Sequence, residues 1–164
     1  MTNFSRRDFM KVSATAAAAA GFPAIALGGG KKVVVVGGGT GGATAAKYIR
    51  MLDPSVEVTL IEQNKNYFTC YMSNEVLGGA RKIDDIMHGY EGLKKHGVRV
   101  VIDTVTGIDP KAKKIMTKGG DTFAYDRAVL SPGIDFKFEG IEGYDAKVAE
   151  KIPHAWKAGP QTAL

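Results

Sequence analysis

Val33-Val34-Val35-Val36-Gly37-Gly38-Gly39-Thr40-Gly41-Gly42 decides the fold. Four consecutive β-branched residues without alternation suit a strand buried on both faces, as in a parallel sheet. The glycines satisfy G-x-G-x-x-G. Ala43 to Leu52 then reads as a helix, stopped by Asp53-Pro54. Val56 to Ile61 is a second strand, which completes β–α–β within about 30 residues. In that context the fingerprint is a dinucleotide-binding one. Gly37 permits the tight turn. Gly39 has no Cβ, so a pyrophosphate can approach the backbone. Gly42 lets the helix pack closely on the strand. Gly38, Thr40 and Gly41 complete the loop, and the helix N-terminus offers N–H groups to the phosphates.

Glu62 follows the second strand, 20 residues past Gly42. A carboxylate there accepts hydrogen bonds from both ribose hydroxyls and repels a 2′-phosphate, which disfavours NADP. The fingerprint serves FAD and NAD alike, because both carry an ADP half.

Working outward, Asn64 to Gly79 reads as a loop with a short helical turn. Ile83 to His96 has helical spacing, with Gly97 as its C′ residue. His88 and His96 then fall on that helix and at its end, as surface or capping residues. Arg81-Lys82 read as solvated. Val98 to Ile102 is a third strand. Residues 104–124 form a small antiparallel meander opened by Val105, with turns at Asp109-Pro110 and Gly119-Gly120-Asp121. Arg127 to Leu130 is a last short strand, ending at Ser131-Pro132-Gly133. The expected fold is α/β: a Rossmann-type domain with a parallel sheet and a small β-meander, spanning residues 31–145.

The first 26 residues read as a targeting segment. Ser5-Arg6-Arg7-Asp8-Phe9-Met10-Lys11 carries paired arginines. A weakly apolar, Ala-rich stretch follows, then Ala24-Ile25-Ala26 in the A-x-A positions. This is a twin-arginine signal pattern, and it predicts export to the periplasm. The stretch is too short to span a bilayer comfortably. That route carries folded proteins, which fits a cofactor already in place.

Composition bounds the rest. The chain has 164 residues, 45% hydrophobic and 24% charged, and a formal net charge of +5. Arg6, Arg7 and Lys11 against Asp8 put +2 of that in the leader, and the remaining +3 is too mild to argue for nucleic acid. One cysteine, Cys70, excludes an internal disulfide and a CxxC metal or redox motif. A helical-looking stretch from Ala146 runs to Leu164 without a capping residue. Residues 146–164 are therefore read as the start of a further region, cut short.

Tyr125-Asp126-Arg127-Ala128-Val129-Leu130-Ser131-Pro132-Gly133 resembles the second FAD motif of the glutathione-reductase-like flavoproteins. Ser131-Pro132 stands where Ala-Thr is commoner. In that family Val105 is at a position that contacts adenine through backbone groups. Two further stretches, Tyr67-Phe68-Thr69-Cys70-Tyr71-Met72-Ser73-Asn74-Glu75-Val76 and Pro153-His154-Ala155-Trp156-Lys157-Ala158-Gly159, resemble the flavoprotein subunit of flavocytochrome c sulfide dehydrogenase. The resemblance covers the chain, leader included.

That resemblance implies FAD held by a thioether from Cys70 to the 8α-methyl of the isoalloxazine. The chemistry agrees, since a thiolate is a good nucleophile. It further implies a small sulfur substrate, a c-type cytochrome subunit as partner and electron acceptor, and a catalytic disulfide. The disulfide needs two more cysteines than the chain has, so no catalytic residue is assigned. Sulfide:quinone oxidoreductase and type II NADH dehydrogenase share the fold. The leader and Cys70 weigh against those membrane-associated relatives. The remaining alternative is an exported nucleotide-binding module without catalysis.

Overall fold

The computed structural model describes residues 30–149 and 151–152. The leader at 1–26 and the Pro153–Gly159 stretch, with His154 and Trp156, lie outside the described residues.

The core is a parallel sheet of four strands, β1 (Lys32–Val36), β2 (Glu57–Glu62), β5 (Arg99–Ile102) and β9 (Arg127–Leu130). Their order is β5-β2-β1-β9. A strand alternates its side chains between two faces. Val35, Val58 and Leu60 therefore point to one face with Ala46, Tyr90 and Leu93. Val34 and Ile61 point to the other, with Ile115 and Phe123. The valine run is buried on both sides, as expected: Val34 is 2% and Val35 0% exposed. Each fully buried branched side chain contributes about 1.5–3 kcal/mol.

Helix α1 (Thr40–Leu52) covers the first face. It begins three residues earlier than the sequence suggests. The last glycines of the fingerprint form its first turn rather than a loop before it. The meander covers the second face: β6 (Val105–Asp109), β7 (Lys114–Thr117) and β8 (Thr122–Ala124), antiparallel in the order β6-β7-β8. Arg99 places its guanidinium 5.5 Å from the centre of the Phe123 ring, which ties the sheet to the meander.

The expected helix from Ile83 to His96 is not one element. The structure has a 3₁₀ turn at Ile83–Ile86, strand β4 (Met87–His88) and helix α3 (Glu91–Lys95). Gly89 and the N-cap residue Tyr90 separate the last two. Met87 and His88 extend because β3 (Tyr67–Phe68) pairs with them antiparallel, Tyr67 opposite His88. A tertiary partner overrode the local period. His88 is thus a strand residue whose ring lies 5.7 Å from that of Tyr67. Gly97 does follow a helix, at φ +79°, and donates to the Lys94 carbonyl. The loop after β3 contains helix α2 (Ser73–Leu77). Arg81, read as solvated, pairs with Glu75 at 3.0 Å. Only Ala146–Ala149 of the expected terminal helix is described as one, here α4. Among the described residues no helix is long and apolar enough to cross a membrane.

Candidate functional site

The strand ends β1, β2 and β9 meet at the carboxyl edge of the sheet, where ligands of open α/β folds bind. Gly37 turns the chain there at φ +96°, a conformation that favours glycine. Its N–H donates to the Ile61 carbonyl at 2.9 Å. A Cβ on Gly37 would meet the Ser131 carbonyl at 2.0 Å. The fingerprint and the Tyr125–Gly133 motif are therefore in direct contact. Ser131 completes the link by donating its N–H to the Val36 carbonyl at 2.8 Å. Its hydroxyl would lie 2.9 Å from a Cβ on Gly41.

The Tyr-Asp pair that opens the second motif has a structural role. The Lys32 N–H donates to the Asp126 carboxylate at 2.7 Å, and the Asp126 N–H to the Lys32 carbonyl at 2.8 Å. This clamps β9 to the start of β1. Tyr125 packs with the meander-side core.

Gly42 and Gly39 differ. A Cβ on Gly42 would lie 1.8 Å from the Gly37 carbonyl oxygen and 3.3 Å from Val35. Gly42 is thus required for the helix to sit on the strand. A Cβ on Gly39 would meet nothing within 4 Å. The open space lies at the N-cap of α1. That end has no side-chain cap and no acidic residue in its first turn. The first N–H groups of a helix lack intrahelical partners and carry the positive end of its dipole. An open, uncapped, uncompensated N-terminus suits a pyrophosphate.

Glu62 closes β2. Its Oε2 accepts from the Gly38 N–H at 2.7 Å. Its Oε1 accepts from the Asn64 N–H at 2.9 Å and the Asn64 side-chain amide at 3.1 Å. A carboxylate has about four acceptor positions, so room remains for ribose hydroxyls. The residue is fixed rather than a loose strand end.

A cleft of about 190 Å³ lies beside it, lined by Gly37, Glu62, Asp103, Thr104, Val105 and Pro132 among others. Four of the expected site residues thus share one wall. Asp103 and Thr104 are additions. Asp103 accepts from its neighbour Thr104 N–H at 2.7 Å and from the Gly119 N–H at 3.0 Å. It fastens the end of β5 to a meander turn and so holds Val105 at the cleft. A hydrogen bond from the Thr117 side chain, with those from the Thr104 and Gly119 amides, holds its carboxyl below the usual carboxylate range. The sequence signal was available: an Asp one residue beyond a buried-type strand, followed by Thr. Gly133 adopts φ +80° just beyond the cleft.

Two tyrosines under the glycine loop were not read from the sequence as site residues. Tyr67 and Tyr90 stack with ring centres 6.1 Å apart. The Tyr90 hydroxyl would lie 2.6 Å from a Cβ on Gly38. Tyr90 is 4% exposed and its hydroxyl has no hydrogen-bond partner. Burial, then the Glu62 charge and Tyr67, push its phenol far above the ordinary range. Burial and Tyr71 raise Tyr67, while a hydrogen bond with Thr40 pulls it down. Tyr67 thereby ties the Cys70 segment to the first turn of α1.

Cys70 sits three residues beyond Tyr67, between β3 and α2, and is exposed. It is not the small buried thiol that a lone cysteine usually is. Its carbonyl accepts from the Ser73 hydroxyl at 2.8 Å. The Thr69 N–H donates to the Ile86 carbonyl at 2.9 Å. The backbone on both sides of the thiol is therefore anchored. Three residues span at most about 11 Å, so Cys70 stays near the aromatic pair. Among the described residues no group of three His, Cys, Asp or Glu side chains could hold a metal.

Comparison with known proteins agrees with this geometry. Residues 3–23 match a twin-arginine translocation signal, which implies export by that route. A type II NADH:quinone oxidoreductase of Staphylococcus aureus is 34% identical over 88 residues, 53% of this chain and 22% of that protein. The solved sulfide:quinone oxidoreductase of Aquifex aeolicus superposes with a TM-score of 0.63 at 31% identity, over 66% of this chain and 25% of that one. A NAD-dependent persulfide reductase from A. fulgidus gives 0.60 at 29% identity, over 68% and 23%. The chain thus spans about a quarter of the length of these relatives. The pyridine nucleotide-disulphide oxidoreductase pattern matches residues 31–158, well over half of the chain, and the protein belongs to that flavin-binding family.

Proposed function

We propose that this chain is the FAD-binding front portion of an exported oxidoreductase that acts on a small sulfur compound. In this reading it corresponds to the flavoprotein subunit of a periplasmic flavocytochrome c sulfide dehydrogenase. The observation that carries the reading is the exposed Cys70 thiol on a segment anchored beside the uncapped end of α1. Gly37 to Gly42 and Glu62 would hold the ADP half of FAD. Val105, Ser131, Pro132 and Gly133 would line its adenosine and ribityl side. Cys70 Sγ would supply the thioether that fixes the flavin end. Bound FAD would supply two-electron acceptance from the substrate and one-electron release to a c-type cytochrome subunit.

The sulfide:quinone oxidoreductase and the persulfide reductase among the similar structures support sulfur chemistry. The twin-arginine signal supports a periplasmic, cytochrome-linked enzyme over a membrane-bound one on the cytoplasmic side. A second reading, a quinone-linked enzyme, is favoured by the 34% identity to the staphylococcal protein.

Flavin fluorescence on a denaturing gel separates the two. The full-length gene product is exported, precipitated in acid and run beside Cys70→Ser. Fluorescence that stays with the wild-type band and is lost in the variant is expected. Flavin released from both would sink the thioether and favour the quinone-linked reading.

A further inference from the structure

Tyr90 is the one described residue whose buried side chain carries a polar atom without a hydrogen-bond partner. A buried tyrosine hydroxyl normally finds a partner, and leaving one unpaired is costly. This one is also placed with care. The ring is held by stacking on Tyr67 and by packing with Leu60, Leu93 and Val98. Its hydroxyl lies in the space that a side chain at residue 38 would need. The Gly38 N–H, on the same residue, is engaged by Glu62 at 2.7 Å. The orphaned hydroxyl and the ribose-facing carboxylate therefore flank one glycine of the loop.

We infer that the Tyr90 hydroxyl is a donor of the nucleotide site that acquires its partner only when the ligand binds. The acceptor is an oxygen of the ribose–diphosphate segment. The inference rests on the dinucleotide-binding reading above. It does not rest on the thioether or on sulfur chemistry.

Three observations support it. First, the hydroxyl belongs to a buried side chain, 4% exposed, and points at the N-terminal loop of a 13-residue helix whose end has no side-chain cap. Second, burial and the neighbouring Glu62 charge keep the phenol protonated, so it faces the loop as a donor at ordinary pH. A protonated donor suits an anionic or hydroxyl oxygen. Third, the residue over the hydroxyl is a glycine, and a Cβ there would lie 2.6 Å from the hydroxyl, so only a residue without a side chain leaves the O–H room. A small movement of Gly38, as ligand oxygens take over the loop N–H groups, would uncover the O–H.

The unpartnered state has a consequence that a structural hydroxyl would not share. Tyr90→Phe keeps the ring and removes only the orphan. The ligand-free chain should then melt at an unchanged or slightly higher temperature, because a buried unpaired group is gone. Binding should weaken, because the ligand loses a donor.

The test uses the full 164-residue chain in flavin-free form, with ADP as the probe. ADP carries the ribose and diphosphate but has no flavin to react with Cys70. Calorimetric titration should show ADP binding weakened about tenfold in Tyr90→Phe, about 1.4 kcal/mol. Differential scanning of the same ligand-free samples should show no loss of Tm. An ADP affinity within twofold of wild type would overturn the inference. So would a lowered ligand-free Tm, since the hydroxyl would then already have a partner. Wild-type chain with no ADP affinity would overturn the nucleotide site itself and this inference with it. Free flavin in the gel experiment would leave this one intact.

Discussion

The glycine loop and the Cys70 segment lie side by side and are built in opposite ways. The loop joins long, regular elements. β1 pairs with both β2 and β9 along its length, and Gly42 has no space for even a methyl group. The Cys70 segment is made of fragments. Two strands of two residues, one 3₁₀ turn and a five-residue helix run from Tyr67 to His88. Tyr71, Met72 and Leu77 are about half exposed within it. Met72 sits at φ +66°, in the left-handed region that non-glycine residues rarely adopt. One region is fixed by close packing. The other is pinned at a few points and leaves its thiol accessible. In the reading proposed above, capture of one end of FAD by the loop and a thioether at the other end would use both.

The largest expected effect tests the packed side. Gly42→Ala places a Cβ 1.8 Å from the Gly37 carbonyl oxygen, a backbone atom that cannot swing away. It should cost about 3–5 kcal/mol, in the range of severe core strain, and chemical denaturation reads it. Gly39→Ala is the control inside the same motif. Its Cβ meets nothing, and its φ of −66° suits any residue. Stability should change by no more than about 0.5 kcal/mol, while affinity for ADP falls, because the new methyl occupies the open space. Equal destabilisation by the two substitutions would break the distinction between packing and ligand-facing glycines.

The same contrast explains what the sequence made legible. The valine run, the fingerprint, Glu62, the three-stranded meander and the last strand were all readable. Each is specified by local signals: an unbroken β-branched run, glycines at fixed spacing, turn residues between short strands. The stretch from Ile83 to His96 was not. Of the apolar positions in that spacing, Ile86, Tyr90 and Leu93 are buried and Ile83 is half-buried, but Met87 is exposed, so the spacing was only partly real. Its cause was different. Tyr67 and Phe68 draw Met87 and His88 into a strand, a contact across twenty residues that no local window contains. Tyr90 was visible as a core position, but its unpaired hydroxyl was not. Only the relative placement of Gly38 reveals it. Asp126 shows the reverse case: a motif residue whose observed role is to clamp two strands.

Met72→Gly tests the loosely pinned side, with a smaller effect of opposite sign. A left-handed residue with a Cβ costs about 1–2 kcal/mol, and glycine adds about 0.5–1 kcal/mol of lost chain entropy. The net should be a stabilisation of about 0.5–1 kcal/mol, seen as a raised denaturation midpoint. Destabilisation would mean that the half-exposed Met72 side chain packs more firmly than its surroundings imply, and the two regions would be less different than they look.

The smallest effect concerns Asp103, where the packed side meets the cleft. Hydrogen bonds from Thr117, Thr104 and Gly119 hold its carboxyl below the ordinary range. A carboxyl depressed on folding binds its proton more readily in the unfolded chain. Its contribution is therefore complete above the unfolded value of about 4 and is lost as pH falls through the lower folded value. Asp103→Asn should be less stable than wild type at pH 7, and the gap should close as pH drops below about 4. Paired denaturation curves from pH 7 to pH 2.5 would trace it. Because the group is only half-buried, the gap should be small and should shrink further in high salt. A gap that stays constant across the acid range would show that Asp103 holds Val105 and the meander turn through its shape rather than its charge.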